Sequence, residues 1–172
     1  LVPTAPLLFP GKRCMNGKVF LDTNVIVYAY DNSAGEKHAQ AQKILLDLWK
    51  SGLGVISTQV LKEFYVTVTQ KIPNTLNKEN AAGIISDLLS WEVVVNDGYK
   101  ILQAIAIQQK YCLSFWDALI INSAQESGCS VLYSEDLSSG QKLGSLEIRN
   151  PFKTFSSAAG PVYIPGFPGE PG

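Results

Sequence analysis

Four acidic residues sit where their surroundings make a charge conspicuous. Asp22 closes the apolar start of "KVFLDTNVIVYAYD", Glu63 lies in "STQVLKEFY", Asp117 in "LSFWDALIINSA" and Asp136 in "VLYSED". A carboxylate at the end of an apolar strand is costly unless a hydrogen bond, a cation or water satisfies it. Brought together, the four would repel one another and raise their own pKa values unless a divalent cation neutralised them. With His38 the only histidine and no cysteine beside any of the acids, such a set favours Mg²⁺ or Mn²⁺ over Zn²⁺. Each acid also has a plainer explanation. Asp22 suits the N-cap of a helix starting at Asn24 or Val25. Ser114-Phe-Trp-Asp117 fits a capping pattern, Glu63 stands on a helix beside Lys62, and Asp136 is in a polar turn. Individually the signals are weak, so their order along a common scaffold has to carry the argument.

The scaffold follows from periodicity. Short apolar strands are expected at 19–21, 54–58, 92–95 and 130–134, with a shorter fifth at 146–148. Between them, helical spacing predicts helices over 25–30, 36–50, 58–71, 78–89, 97–109 and 114–126. The expected start signals are a Ser33–Glu36 capping box, Asn77, Asp97 and Ser114, and Pro73 is the expected stop for the third helix. Apolar strands alternating with helices imply a three-layer α/β/α sandwich around a mostly parallel sheet. Sites in such sheets lie at the carboxyl ends of the strands. Asp22 and Asp136 directly follow strands, Glu63 can reach back from the helix after the second, and Asp117 opens a late helix.

The remaining features bound the function. Of nine prolines only Pro73 falls between Met15 and Asn150. Residues 1–14 therefore read as a leader outside the fold, 15–152 as the domain and 153–172 as a Pro/Gly-rich tail. The domain carries 11 basic and 14 acidic residues, which argues against the broad basic face of a DNA coat protein. Cys14, Cys112 and Cys129 form no CxxC pair and read as reduced thiols. No apolar stretch is long enough to span a membrane, and a cytoplasmic location is expected. Lys62, Lys71, Lys142 and Arg149 are candidates for phosphate contacts, with Lys62 and Arg149 foremost. Trp116 and Tyr65 are candidates for base stacking, although aromatics within apolar runs usually belong to the core.

In order and spacing, "LDTNVIVYA", "VLKEFY", "FWDALIINSA" and "LYSEDL", followed by "LEIRNPF", resemble the PIN-domain nucleases, particularly the VapC-type toxins. The resemblance covers Lys18 to Phe152. It implies that Asp22, Glu63, Asp117 and Asp136 hold Mg²⁺ or Mn²⁺, with Asp22 and Asp117 the nearest ligands, and that Asn24 and Ser134 support them. It further implies an endoribonuclease that leaves a 5′ phosphate, a homodimer, and silencing by a small antitoxin protein. Two rivals stand beside this reading. A haloacid-dehalogenase-type phosphatase would need a second carboxylate two residues after Asp22, where the chain has Asn24. A PIN-like RNA-binding or scaffold module would keep the fold without the activity. Neither a Walker A loop nor a G-x-G-x-x-G motif occurs.

Overall fold

A computed structural model describes residues 17–153; the expected leader and all of the expected tail but Lys153 lie outside the described residues. The strands are β1 (Val19–Leu21), β2 (Gly54–Ser57), β3 (Glu92–Val94), β4 (Val131–Tyr133), β5 (Lys142–Leu143) and β6 (Leu146–Arg149). The helices are α1 (Thr23–Tyr30), α2 (Glu36–Ser51), α3 (Thr58–Gln70), α4 (Lys78–Leu88), α5 (Gly98–Tyr111) and α6 (Phe115–Glu126). No helix among the described residues is long and apolar enough to cross a membrane.

The six strands lie in the order β3-β2-β1-β4-β6-β5. All neighbours are parallel except the β5–β6 hairpin at the edge. From β1 the chain winds outward through β2 to β3, then returns past β1 to place β4 on its other side. With right-handed crossovers this puts α1 to α4 on one face and α5 and α6 on the other, the sandwich expected from the alternation. Val19, Phe20 and Leu21 are all buried, as a strand covered on both faces must be. Phe20, Ile26, Ile56, Phe64, Ile121, Leu132 and Ile148 form the fully buried heart of the core.

The strand order reverses between β1 and β4, where a crevice opens outside the carboxyl ends of an open α/β sheet. Asp22 follows one of these strands and Ser134 the other, so topology alone brings together residues 112 positions apart.

Several helix ends match the sequence signals. Asn77, Asp97 and Ser114 each cap a helix with a side-chain oxygen, and Ser57, which the sequence places in the second strand, does the same for α3. One local expectation is corrected, and one strand is unforeseen. The Ser33–Glu36 capping box does not form: Asp31 draws Ser33 into a short 3-10 turn by accepting from its backbone N–H at 3.0 Å and its hydroxyl at 2.5 Å. α2 consequently begins behind Gly35, whose φ of +60° suits glycine. The edge hairpin also supplies a strand, β5, that two residues of "KL" cannot announce, because its pairing depends on the positive-φ turn at Gly144. Cys112 is exposed and Cys129 buried, both as free thiols.

Ser57 and Ser114 start the two helices that carry Glu63 and Asp117. Replacing either serine by alanine is expected to lower unfolding stability by about 1 kcal/mol, measured by urea denaturation with an unchanged m-value.

Candidate active site

Asp22 is the buried centre of the crevice, with 8% exposure. Its Oδ1 accepts the Thr23 backbone N–H at 2.7 Å, which caps α1. Its Oδ2 accepts the hydroxyl of the fully buried Ser134 at 2.6 Å. The capping explanation of Asp22 is therefore correct, yet it occupies only one of the two oxygens. α1 begins at Thr23, one residue ahead of expectation, because the carboxylate reaches the first free N–H of the helix.

Asn24, one turn position further, links two acids. Its Nδ2 lies 3.0 Å from Asp136 Oδ2 and 3.5 Å from Asp22 Oδ2. Thr23 performs the matching task on the other side by donating its hydroxyl to Glu63 Oε2 at 2.7 Å. Glu63 stands in the second turn of α3, and helical side chains lean toward the N-terminus, so it reaches back to the sheet edge. The second oxygen of Glu63 is held by Gln59 Nε2 at 2.9 Å, one helical turn earlier.

Gln59 is a residue that sequence reading missed. The same Nε2 also approaches the Trp116 carbonyl at 3.3 Å, tying α3 to the turn that bears Asp117. Turning the amide over would aim Oε1 at the Glu63 carboxylate and a carbonyl, so the orientation is forced and Oε1 is left buried with no hydrogen-bond partner among the described residues. Its spacing four residues before Glu63 was the available signal, but Gln at that position is common on any helix.

Asp117 stands apart from the hydrogen-bonded group. Its backbone N–H donates to Ser114 Oγ at 3.1 Å. Its carboxylate makes no hydrogen bond or salt bridge among the described residues, so the S-x-x-D capping pattern is only half formed. Asp22, Glu63 and Asp136 are thus joined through Thr23 and Asn24, whereas Asp117 approaches through Gln59 alone. Among the described residues, no three Asp, Glu, His or Cys side chains reach the spacing of a formed metal site.

The electrostatics nevertheless suit a cation. Burial pushes the Asp22 carboxyl up to about 6, and the charges of Asp136 and Glu63 push the same way against the hydrogen bonds from Ser134 and Thr23. None of the four acids is paired with Lys, Arg or His in the ion pairs of the described residues. A buried carboxylate facing two further acids, all hard oxygen donors and without a basic partner, fits Mg²⁺ or Mn²⁺.

The substrate-binding candidates divide. Lys62 and Lys71 line a cavity of about 650 Å³ that opens beside Glu63, with Trp116 and Ile101 on its walls. Trp116 is 61% exposed, contrary to the usual place of an aromatic in an apolar run, whereas Tyr65 packs against the core. Arg149 is engaged by Glu147 through two hydrogen bonds of 2.8 and 2.7 Å. Lys142 is on the edge strand β5.

The raised Asp22 pKa sets the direction of the pH dependence. The folded protein holds this proton more tightly than the unfolded chain, so the stabilisation is complete below about pH 3.8 and lost as pH rises through about 6. The gap between those two values corresponds to about 3 kcal/mol. In EDTA, wild type is expected to lose most, though not all, of that stability relative to Asp22→Asn between pH 4 and 7, and the variant should melt higher at pH 7. A lower melt for the variant would mean that the charged cap outweighs the repulsion.

The PIN domain family model matches residues 19–138. Among solved structures, the chain is similar to VapC20 of Mycobacterium tuberculosis, a toxin that cleaves the sarcin-ricin loop, at 21% identity over 69% of this chain and 90% of that one, with a TM-score of 0.55. It is similar to a toxin–antitoxin complex from Klebsiella pneumoniae at 18% identity over 78% and 98%, with a TM-score of 0.58. It is also similar to DNA-bound VapBC from Salmonella typhimurium at 17% identity over 78% and 98%, with a TM-score of 0.56. No curated protein sequence matches the chain. The family model spans most of the domain, from the strand before Asp22 to the turn after Asp136, and the chain belongs to the PIN domain family.

Proposed function

We propose that the chain is a metal-dependent endoribonuclease and the toxin of a type II toxin–antitoxin pair. The observation that carries this reading is the buried Asp22 carboxylate, which has no basic partner among the described residues and lies under the influence of Glu63 and Asp136 at the sheet's switch point. Asp22, Glu63, Asp117 and Asp136 would hold Mg²⁺ or Mn²⁺. The bound cation would polarise the phosphoryl group and acidify the attacking water. Ser134 and Asn24 orient Asp22 and Asp136, Thr23 and Gln59 fix Glu63, and one of the carboxylates takes the proton of the attacking water. RNA is the substrate that the family resemblance supports, with Lys62 and Lys71 beside the site as contacts for its backbone.

The antitoxin partner rests on the solved relatives, several of which are toxin–antitoxin complexes. A homodimer accords with the exposed apolar side chains Ile101, Leu102 and Ile105 on α5 and Val66 on α3. One observation favours a second reading, an inactive PIN-like module: the Asp117 carboxylate lies outside the bonded group of acids.

Incubating pure protein with labelled single-stranded RNA separates the two. The expected result is cleavage with Mn²⁺ that stops in EDTA and disappears in both Asp22→Asn and Asp117→Asn. Cleavage that survives Asp117→Asn removes that residue from the site. The absence of any metal-dependent cleavage supports the module.

A further inference from the structure

Glu135 separates the two site residues of the β4 turn, Ser134 and Asp136, and is held at four points. Its backbone N–H donates to Asn24 Oδ1 at 3.4 Å, and its carbonyl accepts from Asn150 Nδ2 at 3.5 Å. Its Oε2 accepts the Tyr28 hydroxyl at 2.6 Å, while its Oε1 is paired with Lys37 Nζ. Lys37 lies 4.9 Å from the centre of the Tyr28 ring, and Phe152 packs against that ring edge-on at 5.2 Å. Three separated parts of the chain, α1, α2 and the residues after β6, therefore hold this one residue, and its side chain is bound by Tyr28 and Lys37 rather than by any of the four acids.

Consecutive residues share a backbone, so fixing Glu135 also fixes the directions in which Ser134 and Asp136 leave the chain. Ser134 Oγ must face Asp22 while accepting from the Asp136 and Leu137 N–H groups at 3.3 and 3.4 Å. Asp136 must meanwhile stay within reach of Asn24. A turn bearing a buried hydroxyl and a charged side chain on neighbouring positions needs an anchor of its own. The Lys37–Glu135 pair is too exposed, at 41% and 24% of the side chains, to contribute much to global stability. Its effect is local.

We propose that the Tyr28–Lys37–Glu135 clamp is a positioning device that sets the cation affinity of the neighbouring acids by aligning Ser134 and Asp136. The proposal rests on the reading of those acids as a metal site. Lys37, Tyr28 and Glu135 act through their neighbours and contact neither cation nor RNA.

The test compares wild type with Lys37→Met, Tyr28→Phe and the conservative Lys37→Arg in the full chain. Mn²⁺ affinity is read from the paramagnetic resonance of free Mn²⁺, amide exchange at Asp136 and Leu137 is followed in EDTA, and melting is recorded in EDTA. The expected result is an affinity about tenfold weaker for Lys37→Met and Tyr28→Phe, faster exchange at those two amides, unchanged melting, and recovery in Lys37→Arg. Wild-type affinity and wild-type exchange in both variants would overturn the clamp. So would losses that merely track a lower melting temperature. If wild type binds no Mn²⁺, the metal-site reading fails, and exchange decides the clamp alone: acceleration upholds the positioning and wild-type rates refute it.

Discussion

A buried carboxylate without a basic partner organises this molecule. Asp22 directly follows a strand whose every residue is buried, and among the described residues a hydroxyl, a backbone N–H and a longer contact from the Asn24 amide offset its charge. Two hydrogen bonds to a carboxylate are insufficient to cancel the cost of burying it beside two further acids, which is why its proton is held more tightly than usual. A fold retains that kind of cost where a site requires it.

The surrounding structure distributes the acids without letting them collapse onto one another. Thr23 and Asn24 continue the chain directly after Asp22, and each turns a polar side chain to a different acid. The first residues of α1 thereby act as spacers between carboxylates as well as the start of a helix. Glu63 has both oxygens engaged, by Thr23 and Gln59, and the stranded Oε1 of Gln59 is the residual cost of that arrangement. Asp117 retains a carboxylate uncommitted among the described residues, on a helix whose start is fixed by Ser114.

Much of this could be anticipated from the chain. The alternation of apolar strands and helices prescribes the sandwich, since a strand buried on both faces has to be covered twice. The sequence places Asp22, Asp117 and Asp136 at element ends and Glu63 in the second turn of a helix, and strand order then brings Asp22 and Ser134 together. The less legible features depend on competition between partners. The choice of Asp31 over Glu36 for Ser33 turns on which acceptor is buried and near. Gln59 and Thr23 are significant only through residues far along the chain, and no local pattern marks them. Trp116 reads as core because its neighbours are apolar, yet its place beside the first turn of α6 turns the indole outward.

The proposed activity requires Asp22 and Asp117 to share one divalent cation. Anomalous diffraction from crystals grown with Mn²⁺ would locate that ion. The expected result is a manganese peak within coordination distance of Asp22 and Asp117, with Glu63 and Asp136 bound to it or linked through water. A peak confined to the protein surface, or one at Asp22 with the Asp117 carboxylate beyond coordination distance in saturating Mn²⁺, would rule that sharing out.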